Sequence, residues 1–136
     1  GSMASWDAMY RINLRTAAIS SRAVLPHLKS GAIVNVGAAA SAAPGMGMAP
    51  YAASKAGVMA LTESLAEELR GRGIRVNAIL PTILDTPANR KDMPDADPAG
   101  WVSLESAAAV VAFLLSQDAA AITGTGIKLS LGTAGA

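Results

Sequence analysis

The feature that most constrains the fold is a regular alternation of helix-like and strand-like segments. Apolar residues recurring every three to four positions predict three helices, at 5–28, 50–72 and 104–116. Short apolar runs, two of them rich in β-branched residues, predict three strands, at 32–36, 74–80 and 127–131. Because each strand follows a helix, the connections are expected to be right-handed crossovers between parallel strands. The sequence therefore predicts an α/β fold with a parallel sheet and helices on both faces.

Composition narrows the class of protein. The 136 residues are 51% hydrophobic and 15% charged, which suits one folded domain, expected at 4–136, after a tag scar and start at 1–3. The net charge of +1 gives no electrostatic reason to expect nucleic acid or a membrane as partner. No cysteine is present, which excludes disulfides and zinc–thiolate sites. No signal peptide or membrane-spanning run is visible, so a cytoplasmic location is expected.

The strongest chemical signal is the sequence Tyr51-Ala-Ala-Ser-Lys55 at the start of the second helix. Residues four apart lie on one helix face, so the ammonium group of Lys55 can stabilise the tyrosinate form of Tyr51. A tyrosine in such a setting can donate a proton to a carbonyl or imine. On its own, the pair is also compatible with an ordinary exposed helix.

The surrounding segments resemble the short-chain dehydrogenase/reductase family. Tyr51-x-x-x-Lys55 follows the strand Ile33-Val34-Asn35-Val36-Gly37 by one loop, and Leu65-Ala-Glu-Glu-Leu69 and Ile74-Arg-Val-Asn77 follow it. The resemblance covers nearly the whole chain. It implies an NAD(P)H-dependent oxidoreductase in which Tyr51, Lys55 and Asn13 are catalytic, with Asn13 ordering a water in the proton relay. The same resemblance places Pro81, Leu84 and Thr86 against the nicotinamide end of the cofactor.

One departure from the family pattern concerns substrate chemistry. The family's catalytic serine lies thirteen residues before the tyrosine, and that position is Ala38 here. Ser41 carries the only hydroxyl group in the loop over 37–49. It is expected to be an ordinary polar loop residue rather than a replacement for the catalytic serine. The loop over 37–48, the segment over 84–97 and Trp101 are similar to the corresponding parts of dihydropteridine reductases, which lack the serine. Their substrates, quinonoid dihydropterins, are electron-poor and need less polarisation than a ketone.

A second departure concerns the cofactor. The sequence holds no Gly-x-Gly-x-x-Gly-like turn between a strand and a helix, so pyrophosphate contacts are not expected. The expected fold is the C-terminal half of a Rossmann-type doubly wound sheet, without the N-terminal dinucleotide-binding half. Cofactor binding by this chain alone is accordingly not expected. The alternative is a non-enzymatic folding or oligomerisation module derived from the same fold.

The remaining features are weaker signals. An unpaired edge of strand 32–36 would favour a homo-oligomer formed through that edge, through helices 5–28 and 50–72, or both. The 81–103 segment lacks periodicity and is expected to be a substrate loop. His27 is the only histidine and is expected at the surface, and no metal site is predicted.

Overall fold

A computed structural model describes residues 2–39 and 45–132 of the chain. Its first helical run is continuous but not uniform. It comprises the α-helix α1 (Met3–Met9), a π-helical segment (Tyr10–Arg15), the α-helix α2 (Thr16–Val24) and a 3-10 turn (Leu25–His27). The run begins earlier than predicted, because the Ser2 hydroxyl accepts the Ser5 N–H and Ser2 is the N-cap.

Three parallel strands form the sheet. They are β1 (Gly31–Val36), β2 (Ile74–Pro81) and β3 (Gly126–Leu129), in the spatial order β1-β2-β3. Each prediction of a strand is confirmed, but β3 ends two residues earlier than expected. Among the residues that the structure describes, β1 pairs with another strand on one side only.

The helix that carries Tyr51 is the longest element. It is α3 (Ala49–Leu69), with Pro50 in its first turn, where a missing N–H costs nothing. A 3-10 turn (Arg70–Arg72) follows, and Gly73 ends it in the left-handed conformation that glycine adopts without strain. The predicted helix over 50–72 is therefore confirmed, with its last turn tightened.

Residues after β2 are more ordered than the sequence suggests. Instead of a wholly irregular segment over 81–103, they form the helix α4 (Pro87–Asp92) and a 3-10 turn (Pro98–Gly100). An isolated parallel bridge between Leu84 and Val102 closes this segment at its base. Helix α5 (Leu104–Leu115) follows, with Ser103 as its N-cap, as the sequence predicts.

Successive side chains of β2 point to opposite faces of the sheet, and a helix covers each face. Ile74 and Val76 are fully buried against α3, in a cluster with Ala66 and Leu69. The intervening Arg75 points the other way and donates to the carbonyl groups of Leu114 and Ser116 at the end of α5. The prediction of helices on both faces is confirmed.

Candidate active site

A cavity of about 490 Å³, called the main cavity below, lies at the carboxyl ends of β1 and β2. Its walls come from three parts of the chain: the end of β1 and the residues after it, the first turn of α3, and the segment after β2. Ligands of open α/β sheets bind outside the carboxyl ends of the strands. The cavity includes five of the residues singled out in the sequence, namely Ala38, Tyr51, Lys55, Pro81 and Leu84.

Tyr51 and Lys55 both face this cavity from successive turns of α3. The Lys55 Nζ donates to the Val36 carbonyl oxygen at 3.1 Å, which ties the helix to the end of β1. Partial burial lowers the pKa of the Lys55 ammonium group, because desolvation disfavours its charged form. The structure thus brings the predicted pair together, with Tyr51 still 37% exposed to solvent.

Asn13 lies in the π-helical segment, where the helix faces α3. Its Nδ2 donates to Ser54 Oγ at 3.1 Å, and Ser54 Oγ in turn donates to the Tyr51 carbonyl oxygen at 2.8 Å. Asn13 and Lys55 also line a second cavity, of about 330 Å³, beside the end of β1. The segment therefore places Asn13 on the side of Lys55 away from the main cavity. π-Helical segments in α-helices occur frequently at functional sites.

Ala38 is 5% exposed and forms part of the main cavity wall, two residues after the end of β1. Its methyl side chain offers no hydrogen-bond donor at the position where the resemblance expects a serine. Ser41 lies outside the described residues.

The comparisons with known proteins agree with this geometry. The model of the family described as short chain dehydrogenase matches residues 1–97. The chain belongs to the short-chain dehydrogenase family. It is 36% identical over 135 residues to 4-formylbenzenesulfonate dehydrogenase TsaC1/TsaC2 of Comamonas testosteroni, covering 88% of this chain and 54% of that protein.

Solved structures of the family share the fold. An oxidoreductase of the short-chain dehydrogenase/reductase family from Burkholderia thailandensis superposes with a TM-score of 0.87 at 29% identity, over 96% of this chain and 56% of that one. A 3-ketoacyl-(acyl-carrier-protein) reductase from Brucella melitensis, solved with NADH, gives a TM-score of 0.80 at 28% identity, over 95% and 57% of the two chains. This short-chain dehydrogenase sequence spans about half the length of the relatives that it matches.

The segment expected to contact the nicotinamide end is only partly in the cavity. Pro81 is the last residue of β2 and Leu84 bridges to Val102, and both line the cavity. Thr86 does not line it; its Oγ1 instead accepts the Asn89 N–H at 3.0 Å and caps α4. The apolar wall of Pro81, Ile83 and Leu84 suits the face of a nicotinamide ring.

Sequence reasoning missed several cavity residues. Met48, Thr82, Asn89 and Met93 line the cavity, yet none was singled out for this site. For Asn89 and Met93, a signal was available: Thr86-Pro87 is an N-cap followed by a proline at the first helical position, which predicts the start of α4. An ion pair, Asp85 with Arg90 at 2.7 Å, then fixes that helix to the end of the preceding segment.

Other predictions concern residues away from the cavity. Within residues 2–39 and 45–132, no group of three or more His, Asp or Glu side chains could hold a metal ion. His27 is exposed in the 3-10 turn that ends the first helical run. No helix in the described part of the chain is long and apolar enough to cross a membrane.

Proposed function

We propose that this chain carries the proton-donating half of an NAD(P)H-dependent oxidoreductase, and that its acceptor is an electron-poor heterocycle of the dihydropterin type. The observation that carries the proposal is the single cavity in which Tyr51 and Lys55 meet Ala38 and the Pro81–Leu84 segment. A nicotinamide held against these residues would supply hydride to one side of the acceptor.

Tyr51 supplies the matching proton. Tyr51 lines the cavity from the first turn of α3, and Lys55 lies one turn further on the same face. The ammonium charge of Lys55 stabilises the tyrosinate that remains when Tyr51 has donated its proton. The Val36 carbonyl oxygen holds Lys55 in place, so the charge need not be oriented during the reaction.

Asn13 contributes to the same proton path from the side of Lys55 that faces the 330 Å³ cavity. Its side chain anchors the first turn of α3 through Ser54, and the 330 Å³ cavity that it shares with Lys55 has room for water. We expect Asn13 to order a water that returns a proton to Lys55 and hence to Tyr51.

Ala38 determines the acceptor class in this proposal. A ketone gains much from a donor aimed at its oxygen, and the loss of one such donor costs about 10²–10³ in kcat in enzymes that use one. Ala38 gives no such donor from its side chain, which favours an acceptor that is already electron-poor. The similarity of residues 37–48, residues 84–97 and Trp101 to dihydropteridine reductases supports the same choice.

The test measures the oxidation of NADH and NADPH by absorbance, at rising cofactor concentration, with a quinonoid dihydropterin and with a ketone as acceptor. We expect weak cofactor affinity, because the sequence holds no glycine-rich phosphate turn, and a faster reaction with the dihydropterin. Tyr51→Phe should lower kcat/KM by about 10²-fold or more. Ala38→Ser should raise kcat/KM for the ketone by about tenfold, since it adds one donor.

Two results would refute this proposal. Equal rates for Tyr51→Phe and the original chain would exclude Tyr51 as the proton donor. A folded chain that oxidises neither cofactor at any concentration would instead favour the alternative, a non-enzymatic module derived from the fold. That alternative has one structural observation in its favour: in the described part of the sheet, the outer edge of β1 is unpaired.

A further inference from the structure

Among the described residues that line the main cavity, one has an amide side chain, Asn89. Asn89 lies on α4, and its neighbours in the lining include Leu84 and Met93. Of the other polar side chains in the lining, Lys55 donates to the Val36 carbonyl and Thr82 to the Leu129 carbonyl. The Asn89 amide adds an acceptor oxygen to this lining.

The orientation of the Asn89 amide is fixed by its own hydrogen bond. Nδ2 donates to the Leu84 carbonyl oxygen at 2.8 Å, so the amide nitrogen must lie on that side and Oδ1 on the other. The backbone of Asn89 is held as well, because its N–H donates to Thr86 Oγ1. Oδ1 accepts no hydrogen bond from any residue in the described part of the chain, and it is not sealed from solvent.

An ion pair ties the helix that carries Asn89 to the segment before it. Arg90, the next residue, forms two hydrogen bonds to the Asp85 carboxylate, at 2.7 and 2.9 Å. A planar guanidinium that meets a carboxylate through two parallel bonds has little rotational freedom. Asn89 therefore lies on a helix that is tied to the preceding segment rather than in a loose loop, as a recognition group requires.

We propose that Asn89 is a specificity-determining residue whose Oδ1 accepts a hydrogen bond from a ring N–H of the substrate. The inference rests on the proposed function for the choice of acceptor, because a dihydropterin carries ring and exocyclic N–H groups. It predicts selection for lactam-type or amino-heterocyclic acceptors with an N–H at the edge that faces α4. An acceptor oxygen rejects a methylated nitrogen, which offers it no hydrogen and brings a methyl group into its place.

The experiment compares two non-reacting probes, an oxidised pterin and the same pterin methylated at a ring nitrogen, in fluorescence titrations of the full chain. We expect the N–H probe to bind about five- to tenfold more tightly, the value of one hydrogen bond made in a partly enclosed site. Asn89→Leu should bring that ratio close to one. Lys91→Ala, an exposed change on the same helix, should leave it unaltered.

A second variant separates recognition from support of the loop. Asn89→Leu and Asn89→Asp both remove the donation to the Leu84 carbonyl, but Asn89→Asp keeps an oxygen acceptor. Asn89→Asp should therefore retain the preference for the N–H probe, even if both probes bind more weakly. A preference unchanged in Asn89→Leu, lost equally in both variants, or absent in the original chain would overturn the inference, as would failure of the N–H probe to bind.

The readout also distinguishes this inference from the proposed function. Probe binding requires no hydride, so a chain that selects the N–H probe but oxidises no NADH or NADPH would support Asn89 as a recognition residue and refute the reductase. A chain that reduces dihydropterins equally well with and without the N-methyl group would do the opposite.

Discussion

Replacing Thr62 by valine should destabilise the junction between the catalytic helix and the sheet without changing the shape of the core. Thr62 is fully buried on α3, two turns after Lys55. Its Oγ1 accepts Asn35 Nδ2 at 3.0 Å and donates to the Val58 carbonyl at 2.8 Å. Asn35 directly precedes Val36, whose carbonyl receives Lys55, so two polar links join α3 to the end of β1.

The loss of free energy of unfolding depends on the hydrogen-bonding groups that valine would leave without a partner. The side-chain volume hardly changes, so the cavity contribution is small. The Val58 carbonyl keeps its place in the helix ladder, whereas Asn35 Nδ2 loses its acceptor in a site that is 8% exposed. A buried donor without a partner costs about 1–3 kcal/mol. We therefore expect the free energy of unfolding to fall by about 2 kcal/mol for Thr62→Val.

Urea unfolding followed by circular dichroism, at one fixed protein concentration, measures this loss. The double variant Asn35→Val/Thr62→Val removes both partners, and should be less destabilised than the sum of the single variants by about 1–2 kcal/mol. Strictly additive losses, or a Thr62→Val variant as stable as the original, would show that the bond does not contribute as argued.

Three further results are expected. Burial lowers the pKa of Lys55 in the folded state, so between that pKa and the higher pKa of the unfolded state only the unfolded chain holds the Lys55 proton. The free energy of unfolding should therefore rise with pH across this interval, and Lys55→Met should flatten that rise in urea titrations. Gly132→Ala should lower stability by about 1–3 kcal/mol, because a Cβ would lie 2.6 Å from the Ala99 carbonyl oxygen, whereas Gly100→Ala, with open space around it, should not. Light scattering at micromolar concentration should give an oligomer, since β1 has an unpaired edge in the described sheet; a monomer that melts cooperatively would contradict it.

The elements of the fold were predictable because their signals are local. Apolar spacing indicates α3, and β-branched runs indicate β1 and β2, whatever the rest of the chain does. The π-helical segment over 10–15 was not predictable in this way. Its apolar spacing differs little from that of an α-helix, and the change of hydrogen-bonding register depends on packing against α3.

The site was predictable where one motif carries it. Tyr51 and Lys55 are four residues apart on one helix, and their shared face follows from helix geometry alone. Asn89 was not found, because its importance depends on which side of a short helix meets a cavity formed by distant strands. Thr86, expected at the nicotinamide end of the cofactor, caps α4 in the structure, a role that serine and threonine take from local sequence.

The π-helical segment also limits how this chain can be altered. A π-turn accommodates one residue more than an α-turn, so removing a residue between Tyr10 and Arg15 would let the helix run on regularly. Successive residues of a regular α-helix lie about 100° apart around its axis. Asn13 lies within the widened turn, so closing that turn would change the direction of its side chain, whereas the residues before and after the turn would keep nearly their former register. We therefore expect such a deletion to break the Asn13–Ser54 hydrogen bond while the rest of the helix stays packed on α3.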